Sequence, residues 1–200
     1  MADMQSPVAQ GALAPMPGGW QAGRAIGLAA FAAFMGCVPL ANWMIDHVGT
    51  VCVPNGPCLL PVAPGLLAPS GVVVVGLALV LRDLVQRCLG IVWGIVAILG
   101  GTLLSVLVAG PHLVLASGAA FLISESADLG VYTPLQRRGL TRAVIASSLV
   151  GLVVDSLVFL TIAFGSLDFL SGQVVGKVWG VLVSLPLIHL VRRLVPAPVR

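Results

Sequence analysis

The stretch Ala116–Asp128, A-S-G-A-A-F-L-I-S-E-S-A-D, decides how this chain is read. It is apolar enough to lie in a membrane, yet it ends in two carboxylates, Glu125 and Asp128. With Ser117 as zero on a wheel of about 100° per residue, Ser124 and Asp128 fall within about 20° of it and Glu125 about 80° away. One side of the expected helix therefore carries Ser117, Ser124, Glu125 and Asp128, and the other sides carry Ala, Leu, Ile and Phe. Acids in a lipid-embedded helix are costly, and they face a partner or a cavity.

The surrounding chain supports a membrane setting. Of its 200 residues 58% are hydrophobic and 8% charged, against about 25% charged in a soluble domain. The mean hydropathy is +1.10. Twenty-four glycines in so apolar a chain suit helices packed through small residues. No basic patch or aromatic platform supports nucleic-acid binding. No nucleophile elbow, phosphate-binding glycine loop or H-E-x-x-H motif is present, so an enzyme is not expected, nor a cofactor.

Six runs approach the ~20 residues a spanning helix needs. They cover about 25–45, 62–84, 91–109, 111–132, 141–165 and 169–190, the second broken early by Pro64 and Pro69 and the last kinked near its end by Pro186. Residues 1–22 read as a disordered tail without a basic region ahead of an apolar core, and so not as a signal peptide. The six-helix domain covers 23–195, and 196–200 form a short tail. With six spans Arg24, Arg82, Arg87, Arg137, Arg138, Arg142, Arg192, Arg193 and Arg200 all lie on one side. The positive-inside rule places that side, and both termini, in the cytoplasm. The fold class expected is an all-α integral membrane protein, a bundle of six transmembrane helices in the lipid bilayer. Cys52 and Cys58 flank a Pro-Asn-Gly-Pro turn on the outer side, where a disulfide and two unpaired thiols both remain open. No histidine or further thiol stands at zinc-ligand spacing.

Lys177 is the one basic residue inside a span. It lies roughly 12 Å from the outer end of its helix and Asp155 roughly 15 Å from the outer end of the preceding one. The depths suit an ion pair. Ser148, Gly151 and Asp155 share one face, and Gln173, Lys177, Gly180 and Ser184 another. Glu125 and Asp128 lie deeper, roughly 20–25 Å in, with Arg82 and Asp83 near the inner interface. The charges thus form a ladder from Lys177–Asp155 through Glu125 and Asp128 to Asp83 and Arg82, as a path for a polar solute or protons requires. The blander readings are a Lys177–Asp155 pair that only locks two helices, acids at Asp83 and Asp128 neutralised by interfacial arginines, serines bonding back to their own helix, and tryptophans Trp20, Trp43, Trp93 and Trp179 as boundary anchors. Glu125 has no cation close in sequence and is expected to face a polar cavity. Asn42 is a further pocket candidate.

These residues resemble the vitamin-uptake-type transporter family, whose characterised members are queuosine precursor transporters. The resemblance spans about 25–195. In that family helix two ends in an Asp and then a Gly, here Asp83 and Gly90. Helix four follows A-S-x-x-A-F-x-x-S-[QE]-x-x-D, matched by Ala116, Ser117, Ala120, Phe121, Ser124, Glu125 and Asp128. Helix five follows D-[ST]-x-x-F-x-x-I-A-F, matched by Asp155, Ser156, Phe159, Ile162, Ala163 and Phe164. Lys177, Pro186 and Asn42 match as well. Departures are Arg87 for a common Glu, Glu125 for a frequent Gln, Leu152 for Gln, and His189 for an aromatic.

The resemblance implies a multi-pass inner-membrane importer of a small nucleobase-like solute, 7-cyano- or 7-aminomethyl-7-deazaguanine. A guanine-like edge presents adjacent N–H donors that a carboxylate accepts well, which suits Glu125. Asn42, Ser117 and Ser124 would orient the solute. Lys177 would donate to a ring carbonyl or hold Asp155, and Phe121 or Trp43 would stack on the base. Asp128 and Asp83 are candidates for a proton or gating role. A homodimer is left open. The competing readings are a membrane substrate-binding subunit of a larger energised transporter and a non-transporting membrane scaffold.

Overall fold

The computed structural model describes residues 18–53, 56–111 and 113–194. In chain order it contains α1 (Gly18–His47), β1 (Val51–Cys52), β2 (Cys58–Ala63), β3 (Leu66–Pro69), α2 (Val72–Leu89), α3 (Ile91–Val108), α4 (Val114–Leu135), α5 (Leu140–Phe164), α6 (Leu170–Val183) and α7 (Leu185–Leu194). A single 3-10 turn, Gln136–Arg138, joins α4 to α5. Among the described residues five stretches are long and apolar enough to cross a membrane: Gln21–His47, Ile91–Val108, Val114–Arg138, Leu140–Phe164 and Leu170–Val191. The protein is a helical, multi-pass membrane protein.

The helix outside that set is the central one. α2 has 18 residues and carries Arg82, Asp83 and Arg87, and every residue from Ala78 to Gln86 is buried. Continuous burial through more than two turns means that α2 is enclosed on all sides, here by α1, α3, α5 and α6. Its side chains Leu81, Leu84 and Val85 form a core with Phe34, Tyr132, Val144 and Ile188. The outer helix α3 is the reverse, with Leu99, Leu103 and Leu107 all exposed, as a lipid-facing surface demands. The chain turns from α2 into α3 through Gly90 alone, at φ 94, a conformation other residues resist.

α2 and α6 approach backbone to backbone. A Cβ on Gly76 would collide with the carbonyl of Lys177, and one on Gly180 with the carbonyl of Val73. Small residues permit this contact, and it holds Lys177 against the central helix.

The expected second span, 62–84, is corrected. Its first third is a β-hairpin, and the helix starts only at Val72 and continues to Leu89. Pro61, Pro64 and Pro69 supply no backbone N–H, so a helix through them would lose its hydrogen bonds. Pro64-Gly65, with Gly65 at φ 72, has the composition of a type II turn instead. β2 pairs antiparallel with β3 (Leu59 with Pro69, Leu60 with Ala68) and with β1 (Val51 with Leu59, Cys52 with Cys58). Cys52 and Cys58 are disulfide-bonded. The small sheet is an addition to the all-α architecture. It is tied to α1 by Ser70 Oγ donating to the Met44 carbonyl at 2.6 Å, and to α6 by Trp179 Nε1 donating to the Val62 carbonyl at 3.0 Å.

α1 starts at Gly18, so residues 18–22 of the expected tail are helical, while residues 1–17 and 195–200 lie outside the described set. The last run is interrupted near its end, as Pro186 led one to expect, with α6 and α7 divided at Ser184. Pro186 brings no N–H to bond across the break.

Candidate functional site

A cavity opens among α1, α2, α4, α5 and α6, with Ser105 of α3 also on its wall, and it is partly open to its surroundings. Pro69, Gly71 and Val72 bring the end of the hairpin to its wall. The seven residues singled out as solute contacts, Asn42, Ser117, Phe121, Ser124, Glu125, Asp155 and Lys177, all line it. The helical face read from Ala116–Asp128 is therefore the wall that α4 presents inward. Trp43 does not line the cavity. It is exposed and stacks on His47 instead. Phe121 remains the aromatic wall, backed by Phe34 with ring centroids 5.8 Å apart.

The upper polar arc centres on Lys177. Its ammonium donates to Asp155 Oδ2 at 2.6 Å, to Ser156 Oγ at 2.7 Å and to Gln173 Oε1 at 2.6 Å. These use all three of its donors, so in this arrangement Lys177 holds Asp155 and has none to spare for a ring carbonyl. Asp155 Oδ1 accepts from Ser124 Oγ at 3.4 Å, and that hydroxyl also reaches back to the Phe121 carbonyl at 3.2 Å. Asn42 donates to the Val38 carbonyl one turn back. Gln173 was passed over in the sequence as a site residue. Its signal was there, one turn from Lys177 on the same face.

The lower arc centres on Arg82, fully buried on α2. Its Nε donates to Glu125 Oε2 at 3.0 Å and its Nη1 to Gln86 Oε1 at 3.1 Å, with Asp83 Oδ1 2.9 Å from Nη1. Its Nη2 pairs with Asp128 Oδ1, and the guanidinium lies 5.8 Å from the centroid of the Tyr132 ring. Asp83 is held from the other side by Ser147 Oγ at 2.6 Å.

Arg82 is buried within the bundle, and the cation that Glu125 lacks close in sequence is supplied from 43 residues away. The two acids of the opening stretch are joined through one guanidinium. Asp128 and Asp83 are not part of the cavity lining; they stand behind it, connected to Glu125 by Arg82. Glu125 is thus clamped on one oxygen by Arg82 while it faces the cavity, and its Oε1 has no hydrogen-bond partner among the described residues.

No group of residues with metal-holding geometry occurs among the described residues. The arrangement offers acceptors at Glu125 and Asp155, hydroxyls at Ser117 and Ser124, an aromatic wall at Phe121 and apolar surface from Val38, Val72, Val75 and Leu79, which suits a small, partly polar molecule.

Comparison with known proteins adds the family. The family model described as "Putative vitamin uptake transporter" matches residues 71–199. That match takes in α2 through α7 and leaves out Asn42, with Phe34, Val38 and Pro69. No curated protein and no solved structure matches the chain.

Proposed function

The chain belongs to the vitamin uptake transporter family, and from that premise we propose that it imports a nucleobase-like solute across the inner membrane. The solute is a queuosine precursor, 7-cyano- or 7-aminomethyl-7-deazaguanine. The observation that carries this reading is the cavity in which Glu125, with one unoccupied acceptor oxygen, shares a wall with Phe121, Ser117 and Ser124 and faces Asn42 and Lys177. A 7-deazaguanine stacks on the Phe121 ring, and its adjacent N–H donors meet the Glu125 carboxylate.

The orientation has both termini in the cytoplasm and α2 as the sixth span, since its charges are covered by the surrounding helices. Arg87, Arg137, Arg138, Arg142 and Arg193 fall at the helix ends of one side, and the disulfide-bonded sheet lies on the other. An oxidising outer compartment fits the Cys52–Cys58 bridge.

The test is rescue of a host that can neither make nor take up the precursor. Expression of the chain with 7-cyano-7-deazaguanine in the medium restores queuosine in tRNA. Glu125→Ala removes the acceptor for hydrogen bonds worth about 1.5–3 kcal/mol each to a charged group, so uptake falls by at least about tenfold. Wild-type protein present in the membrane without any rescue would refute the reading, and undiminished rescue by Glu125→Ala would remove Glu125 from the site.

A further inference from the structure

We propose that Asp83, Glu125 and Asp128 share a bound proton around Arg82, and that this proton crosses the membrane together with the solute. The proposal rests on the importer reading and adds its driving ion.

Three carboxylates, each almost wholly buried, converge on one guanidinium. A buried charge without a partner is costly, and one cation does not balance three anions. The charged groups on every neighbouring element leave the excess in place. On α6, Lys177 is committed to Asp155 of α5. On α2, Arg87 makes no ion pair among the described residues, and its Nε and Nη1 are buried without hydrogen-bond partners. On α4, the remaining titratable group is Tyr132, whose hydroxyl also lacks a partner. α5 brings the neutral Ser147 to Asp83 and carries Asp155, and among the described residues no ion pair joins the cluster to Arg142 of α5 or to α1 or α3.

A second observation locates the deficit. Asp128 Oδ2 is buried and accepts no hydrogen bond. It lies beside Gly151 of α5, where an added Cβ would stand 3.0 Å from it. An ionised oxygen there faces no donor at all, whereas a proton on the carboxyl removes the charge.

The same geometry supplies the coupling. Glu125 faces the cavity on one side and Arg82 on the other, and Arg82 also holds Asp128 and Asp83. A proton from water in the cavity adds to Glu125, forming an O–H bond. An arriving solute N–H bonds best to ionised Glu125, so its arrival breaks the Glu125 O–H bond as an O–H bond forms on Asp128 or Asp83, while the Arg82 guanidinium between them keeps its own protons and charge. That O–H bond later breaks toward water on the arginine-rich side, where the proton is released with the solute. The proton belongs to the cluster and not to one carboxyl.

The test uses purified full-length protein in proteoliposomes with labelled 7-cyano-7-deazaguanine. Counterflow establishes transport. An inside-alkaline gradient of one pH unit then drives accumulation up to about tenfold for one proton per neutral solute, a protonophore abolishes it, a sodium gradient does not replace it, and Asp128→Asn loses it. Counterflow with accumulation indifferent to the pH gradient overturns the proton proposal and leaves the importer reading standing. Absent counterflow in the wild type overturns the importer reading, and infrared spectroscopy then judges the cluster alone. A protonated-carboxyl C=O stretch at neutral pH, reduced in Asp128→Asn or Asp83→Asn, supports the shared proton; a wild-type protein without that band contradicts it, whether or not the variants fold.

Discussion

Replacing Arg82 by Met tests how much of the bundle depends on its central cation. The side chain has no exposure and contacts Glu125, Gln86, Asp83 and Asp128 at once. Breaking a buried ion pair by removing one partner costs about 3–5 kcal/mol, and here several acceptors are left facing one another. Folded proteins have only about 5–15 kcal/mol in total, so Arg82→Met should melt far below the wild type or fail to accumulate. Arg82→Lys should not rescue it, because one ammonium nitrogen cannot reach partners spread around a planar fork. Neutralising the partners should. In Arg82→Met with Glu125→Gln and Asp128→Asn two of the three stranded charges are gone and only Asp83, still held by Ser147, remains, and residues in one network typically show about 0.5–3 kcal/mol of interaction. Thermal unfolding in mild detergent, followed by size-exclusion chromatography, reads the difference. A wild-type melting temperature for Arg82→Met, or a triple variant as unstable as the sum of its single changes, would refute the electrostatic account of the core.

Three further predictions follow from separate parts of the bundle. Gly76→Ala or Gly180→Ala forces α2 from α6 by backbone collision and should cost about 1–3 kcal/mol, whereas Gly130→Ala on α4 meets nothing within 4 Å and should be neutral or stabilising by about 0.5–1 kcal/mol; melting curves compare them. A membrane-impermeant maleimide added to intact cells should label Cys52 and Cys58 only after reduction, and labelling that requires permeabilised cells would reverse the proposed orientation. Lys177→Met should lower stability by stranding Asp155, and Lys177→Met with Asp155→Asn should recover membrane yield but not uptake. Full uptake by that double variant would reduce the pair to a lock between two helices.

Much of the bundle was legible in the sequence. α3 and α5 fall within a residue of their expected ends, because long apolar runs bounded by glycine are unambiguous. The inward face of α4 could be read from the wheel, since Ser117, Ser124, Glu125 and Asp128 differ so sharply from their neighbours, and all four are buried. The Lys177–Asp155 pair followed from matched depth on consecutive antiparallel helices. The hairpin was missed because an apolar run does not by itself distinguish strand from helix, and its prolines were read as breaks in a span instead of the start of another structure. The place of Arg82 was missed for a different reason. Its partners lie 43 and 46 residues away, and periodicity reports which face a residue occupies but not which helix that face meets. α2 reads as an ordinary span with a charged end, while in the fold it is the axis.

The measurement closest to the central claim is an experimental structure of the full chain at saturating 7-cyano-7-deazaguanine. The account predicts a planar molecule in the cavity, its face on Phe121 and its N–H edge within hydrogen-bond distance of Glu125, with Arg82 still behind that carboxylate. Ligand bound elsewhere, or an empty cavity at saturation, would contradict it.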